Sequence, residues 1–127
     1  MKKFDEVLTQ VEDPSSLDLI GEGEINAIKK DNPGLPSDYT DFLSEIGHGD
    51  LGVLIVYDAP MAPSEVYPHA SADALNGIVL FGDDMQGYCY GFDLNDAGRV
   101  VELDPAGSID RSVESGFIDF LKAFLNT

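Results

Sequence analysis

Two adjacent aspartates, Asp83 and Asp84, sit between two apolar runs in "LFGDDMQGYCYGFDL". Paired carboxylates can hold a metal ion, but adjacent side chains on a strand or loop diverge. The two histidines, His48 and His69, are remote in sequence, and no His-x-x-His or Glu-x-x-His pair exists. A transition-metal site is therefore not expected. Calcium has a better case downstream. "DLNDAGRVVELD" places Asp93, Asn95, Gly98 and Asp104 at positions one, three, six and twelve of an EF-hand-like loop. Position five is Ala97, position twelve is Asp in place of Glu, and the flanks are strand-like. A β-turn at "NDAG" is the simpler reading, and a calcium-responsive module is the weaker alternative.

The remaining chemistry is thin. "GEGE" at Gly21 lacks the preceding strand and the lysine of a phosphate loop, and its acids would repel an anion. Cys89 lies in an aromatic strand among acids, which should raise its pKa and leave it inert. His48 and Asp50, in "GHGD", could begin an acid–base unit. No serine in a Gly-x-Ser-x-Gly turn accompanies them. A histidine at a helix C-terminus is more simply a dipole partner. The chain does not read as an enzyme, and neither a cofactor nor a metal is expected.

A chain of 127 residues, 43% hydrophobic, predicts one folded domain spanning 1–127. No run approaches the roughly 20 apolar residues of a membrane span. The opening "MKKFDEVLTQVED" has no apolar signal core, and a single cysteine allows no intrachain disulfide. The cytoplasm is the expected compartment. Net charge is −17, from 24 acids against 7 Lys and Arg. Between Lys30 and Arg99 there is no basic residue, while Asp31 through Asp96 supply 12 acids. Such a field repels nucleic acid and attracts basic partners with salt-sensitive association. A salt-rich or acidic proteome would give the same balance through solubility alone.

The hydrophobic pattern supplies the elements. Phe4, Val7, Leu8 and Val11 predict a helix over Lys3 to Glu12, stopped by "DPSS". A second helix is expected from about Glu22 to Lys30. A third, led in by Pro36, carries the stripe Tyr39, Phe42, Leu43 and Ile46 and ends at Gly47 and Gly49. The period then changes to strands, at Val53–Asp58, "GIVLFG", "GYCYGFDL" and "GRVVEL". Tyr88, Tyr90, Phe92 and Leu94 alternate onto one face. A long Pro-rich loop, Ala59 to Asn76, holds one helical turn near Ser71 to Leu75. "VESGFIDFLKAFLN" closes the chain as a helix with Phe117, Phe120, Leu121 and Phe124 inward. The fold class is α+β: an antiparallel or mixed sheet of about four to six strands, N-terminal helices and a closing helix.

These blocks, in this order, resemble a known family. "LPSDYTDFLSEIGHG" is similar to the Leu-Pro-x-x-Tyr-x-x-Phe-Leu helix of the SUKH superfamily, the Smi/Knr-type domain. "GEGEINAIKKDNPG" lies at the family spacing before it. "IVLFGDDMQGYCYGFDL" resembles the family's Gly-Asp hairpin, and "GFIDFLKAFL" its closing helix. The resemblance spans about Ile20 to Leu125. Gly47-His48-Gly49 replaces the usual Asn-Gly-Gly, and there is no tryptophan. The resemblance implies a mixed sheet packed by helices. For bacterial members it implies an immunity protein that neutralises a toxin, often a nuclease. Fungal members imply a regulatory scaffold in cell-wall synthesis instead. The expected partner is a basic toxin domain, with neither nucleic acid nor membrane. The expected contact residues are loop acids: Asp50, Asp58, Glu65, Asp83 and Asp84.

Overall fold

The computed structural model of the protein describes residues 4–11, 13–68, 75–110, 113 and 116–125. The helical turn expected near Ser71 lies outside them, except for Leu75. His69, Arg111 and the two N-terminal lysines lie outside them as well.

Among the described residues four helices are formed: α1 (Asp5–Leu8), α2 (Glu22–Asp31), α3 (Ser37–Glu45) and α4 (Phe117–Leu125). Six strands follow α3: β1 (Gly49–Asp50), β2 (Ile55–Met61), β3 (Ile78–Asp83), β4 (Cys89–Asp93), β5 (Arg99–Leu103) and β6 (Ile109–Asp110). They make one antiparallel sheet in sequence order, β1 to β6, so the fold is an α+β meander closed by a C-terminal helix. No described helix is long and apolar enough to cross a membrane.

Helix α1 is shorter than the apolar spacing predicts. Thr9 Oγ1 donates back to the Glu6 carbonyl, and looser turns carry the chain on to Val11. A hydroxyl bonding the preceding turn competes with the helix ladder. Phe4, Val7 and Val11 are nonetheless buried as the pattern requires. Helix α3 ends as expected, with Gly47 at φ +115° and its N–H donating to Phe42 O at 2.8 Å. A Cβ at Gly47 would lie 2.6 Å from the Asp18 carbonyl, because the Asp18–His48 bridge presses the chains together there.

Strand β2 starts two residues later than expected. Leu51 N–H bonds the Leu54 carbonyl, so Leu51 to Leu54 form the connection and Val53 is exposed. Strands β1 and β6, two residues each, carry no apolar alternation that a sequence pattern could show.

The sheet buries both faces. On the helix side, Tyr39, Phe42, Phe81, Phe92, Phe117 and Phe120 are at most 3% exposed. Their rings meet at 4.6 Å for Phe81–Phe92 and 5.2 Å, edge-on, for Phe81–Phe117. Edge-to-face pairs of this kind add to plain area burial. On the other side a smaller core gathers Ile78, Leu80, Cys89, Val101 and Leu103 under Tyr67 and Leu75 from the Pro-rich loop. Strand β4 is consequently buried at every residue. Of its expected aromatic face, Tyr90 and Phe92 pack inward, while Tyr88 precedes the strand and is exposed.

Tyr39 sits centrally with its hydroxyl buried and without a hydrogen-bond partner among the described residues. Burial, then the charge of Asp58, pushes its pKa up. An unmatched buried hydroxyl costs roughly 1–3 kcal/mol. Tyr39→Phe should therefore be at least as stable as the wild type in urea unfolding. A loss above about 1 kcal/mol would show that the hydroxyl has a partner.

Candidate interaction face at one end of the sheet

In an antiparallel meander, alternate connections fall at the same end of the sheet. The β1–β2, β3–β4 and β5–β6 connections share one end here; Asp50 closes β1 before the first, and Asp84 and Asp104 begin the other two. Asp50 Oδ1 accepts from Gly52 N–H at 2.7 Å. Asp84 Oδ1 accepts from Gln86 N–H at 2.8 Å and Tyr88 N–H at 3.1 Å. Asp104 Oδ1 accepts from Ala106 and Ser108 N–H, both at 2.9 Å. The last two turns are copies of one design, "DMQGY" and "DPAGS". In each, the backbone of the aspartate also bonds the carbonyl four residues on. In each, the fourth residue is a glycine in the left-handed region, Gly87 at φ +99° and Gly107 at φ +86°. The turns lie side by side: a Cβ on Gly87 would stand 3.1 Å from Pro105 Cγ. The Tyr67 hydroxyl, 3.4 Å from both Gly87 O and Leu103 O, closes the space beneath them.

Asp83 is also engaged. Its Oδ1 accepts from Met85 N–H at 2.8 Å and its Oδ2 from the Tyr57 hydroxyl at 2.6 Å. Asp50, Ile55, Asp83, Cys89, Leu103 and Ile109 form one register row across all six strands. Cys89 is buried in this row, and burial is the main cause of its raised pKa, opposed by the Tyr67 and Tyr57 hydroxyls. A thiol held in its neutral form is a poor nucleophile.

Three of the five expected acids, Asp50, Asp83 and Asp84, thus come to one end. The other two do not join them. Asp58 is exposed on β2, where pairing with β3 shifts register and its charge acts on Tyr39 on the helix side. Glu65 is exposed in the short 3-10 turn Pro63–Glu65. Asp83 and Asp84 are half-buried turn ligands and not the freely offered charges that loop position suggested. Sequence reasoning missed Glu102 and Asp110 at this end and read Asp104 only as a calcium-loop position. The repeated Asp-x-x-Gly spacing could have revealed Asp104 and its twin turn.

Glu102 lies on β5 opposite Asp110, with Tyr90 beside it. Burial raises its pKa, a hydrogen bond from Tyr90 opposes the rise, and Asp110, Asp84 and Asp104 add to it. The end is therefore a mutually repelling acidic group. Exposed apolar side chains stand within it: Val53, Met85 and Tyr88, three of the five large ones exposed among the described residues. The described basic residues lie elsewhere. Lys122 pairs with Glu6 at 3.1 Å between α4 and α1, and Arg99 is at the opposite end of β5. Lys29 and Lys30 end α2, just before the loop whose Gly34 and Pro36 touch Leu94 and Gly98, again at the opposite end.

The other candidates do not assemble. Asp93 and Asp104 flank β5 at its two ends, so the calcium-like spacing is not gathered into a loop. No group of three or more ligating side chains occurs among the described residues. Asp93 Oδ1 instead caps its own turn through Asn95 N–H at 3.0 Å. His48 pairs through its backbone with Asp18, and no hydrogen bond joins it to Asp50.

Fold and site together define an α+β domain with one aromatic helix–sheet core and an acidic, partly apolar turn end. No family model and no curated protein matches the chain.

The Glu102 environment gives a test with a definite sign. A carboxyl whose pKa is raised on folding binds its proton more tightly in the folded state. Its contribution favours folding at low pH and is lost as pH climbs from the unfolded value, about 4.3, through the folded one. Glu102→Gln should therefore melt at a higher temperature than wild type near pH 7 and match it at about pH 3.5. A lower melting temperature near pH 7 would show that the ionised group is favourably held.

Proposed function

We propose that this chain is a non-catalytic protein-binding domain of the SUKH, Smi/Knr-type kind. In this reading it is a cytoplasmic immunity protein that binds and neutralises a basic toxin domain, such as a nuclease. The observation that carries the reading is the segregation of charge. Glu102, Asp84, Asp104 and Asp110 gather at the turn end with no described base among them, whereas the other end carries Arg99, Lys29 and Lys30 along with Asp93 and Asp96, and Lys122 pairs with Glu6. A nuclease must present a basic surface to its anionic substrate, and an acidic domain can occupy that surface by mimicking nucleic acid. Occlusion of this kind requires affinity and speed of association, with no bond made or broken. The order of sequence blocks that resembles the family supports the same reading.

The test is genetic and calorimetric. Co-expression of this chain should rescue cells from the toxin encoded by the neighbouring gene. The purified pair should bind one to one, and more weakly as salt rises from about 0.05 to 0.5 M. Cells that die despite soluble expression of the chain, with no heat of binding, would refute the proposal.

A further inference from the structure

We infer that the exposed apolar group Val53, Met85 and Tyr88 is the docking centre. Its occupant is a protein segment that carries an apolar side chain flanked by Lys or Arg. This inference rests on the toxin-binding reading and specifies its surface and the partner's chemistry.

Three observations converge on it. Large apolar side chains are exposed here, with Met85 53% and Val53 50% accessible, whereas the described interior buries its own thoroughly. An exposed apolar group rimmed by polar residues marks an interaction site more often than chance exposure does. Second, the turn that carries Met85 and Tyr88 is held rigidly. Asp83 and Asp84 fix the Met85 turn through backbone N–H groups, Gly87 abuts Pro105, and Tyr67 spans both turns. A side chain displayed on a preformed turn loses little entropy on binding.

Third, charge selects the occupant. Met85 and Tyr88 ride on the Asp84 turn, beside the Asp104 turn, and Glu102 already feels Asp110, Asp84 and Asp104. A second copy of this chain would bring the same acids face to face, which like-charge repulsion disfavours. An apolar contact with Lys or Arg around it satisfies both parts: the centre is desolvated, and the rim gains opposite charge.

Met85 is at φ +65°, a conformation that asparagine tolerates better than most residues, so Met85→Asn removes the apolar chain while keeping the turn. Val53→Ser removes the exposed apolar chain of the β1–β2 connection at the same end. Leu19→Ser is the control, because Leu19 is 63% exposed but belongs to none of the three turns, lying next to the Asp18–His48 bridge before β1.

The three proteins are titrated calorimetrically with the inactivated product of a toxin gene adjacent to this one, after circular dichroism shows matching melts. The Val53→Ser/Met85→Asn double variant should bind about tenfold or more weakly than wild type, and Leu19→Ser should bind as wild type does. Equal affinity for wild type and the double variant would overturn this surface and leave the toxin-binding reading standing. No binding by wild type would overturn that reading and this inference with it. A loss in Leu19→Ser equal to that of the double variant would also overturn the assignment.

Discussion

One inserted residue in β3 organises the sheet. Leu80 pairs with Gly91, but Gly82, not Phe81, pairs with Tyr90, so Phe81 is the extra residue of a β-bulge. Before it, Val79 faces the helices, and Ile78 and Leu80 face the second core. Phe81 then enters the helix-side core, where its ring meets Tyr39, Phe92, Phe117 and Phe120. Without the insertion, strict alternation would point Asp83 into that aromatic core, where an unpaired carboxylate is costly. The bulge reverses the phase, placing Asp83 in register with Cys89 and within reach of the Tyr57 hydroxyl. Gly82 makes this possible, because any Cβ there would collide with the Ile55 carbonyl. Bulges re-aim side chains in this way.

The reversed phase also sets what the turn end presents. With Asp83 anchored below, the β3–β4 turn closes on Asp84 and mirrors the turn on Asp104. The carboxylates that look most available in the sequence are thus the ones that hold backbone N–H groups. A carboxylate that accepts two N–H groups keeps its charge while losing its freedom. The end is both strongly negative and stiff, and its apolar side chains ride on that frame. For the basic partner proposed above, electrostatics would govern approach and the apolar side chains how long it stays.

Much of this fold was legible because its signals are periodic. The stripe Tyr39, Phe42, Leu43 and Ile46 could be read from 3.6-residue spacing, and β3, β4 and β5 from β-branched and aromatic runs between turn residues. Elements set by long-range pairing were not legible. Strands β1 and β6 exist because neighbouring strands offer them bonds, and two residues carry no period. The alternation of Tyr88 with Tyr90 and Phe92 suggested burial for all three, but Tyr88 belongs to the Asp84 turn. Polarity and loop position single out Asp58 and Glu65 but say nothing about the end of the sheet on which a residue falls. The Phe81 bulge leaves no mark in composition, although the glycine after it hints at close backbone approach.

The claim that these aspartates hold a rigid turn end is open to amide hydrogen exchange. The N–H groups of Met85, Gln86, Tyr88, Ala106 and Ser108 point to aspartate carboxylates at one end of the sheet. Each should exchange about tenfold or more slowly than in an unstructured chain, despite lying in surface turns. Exchange of all five at the unprotected rate would mean that the turns are loose and the preformed face does not exist.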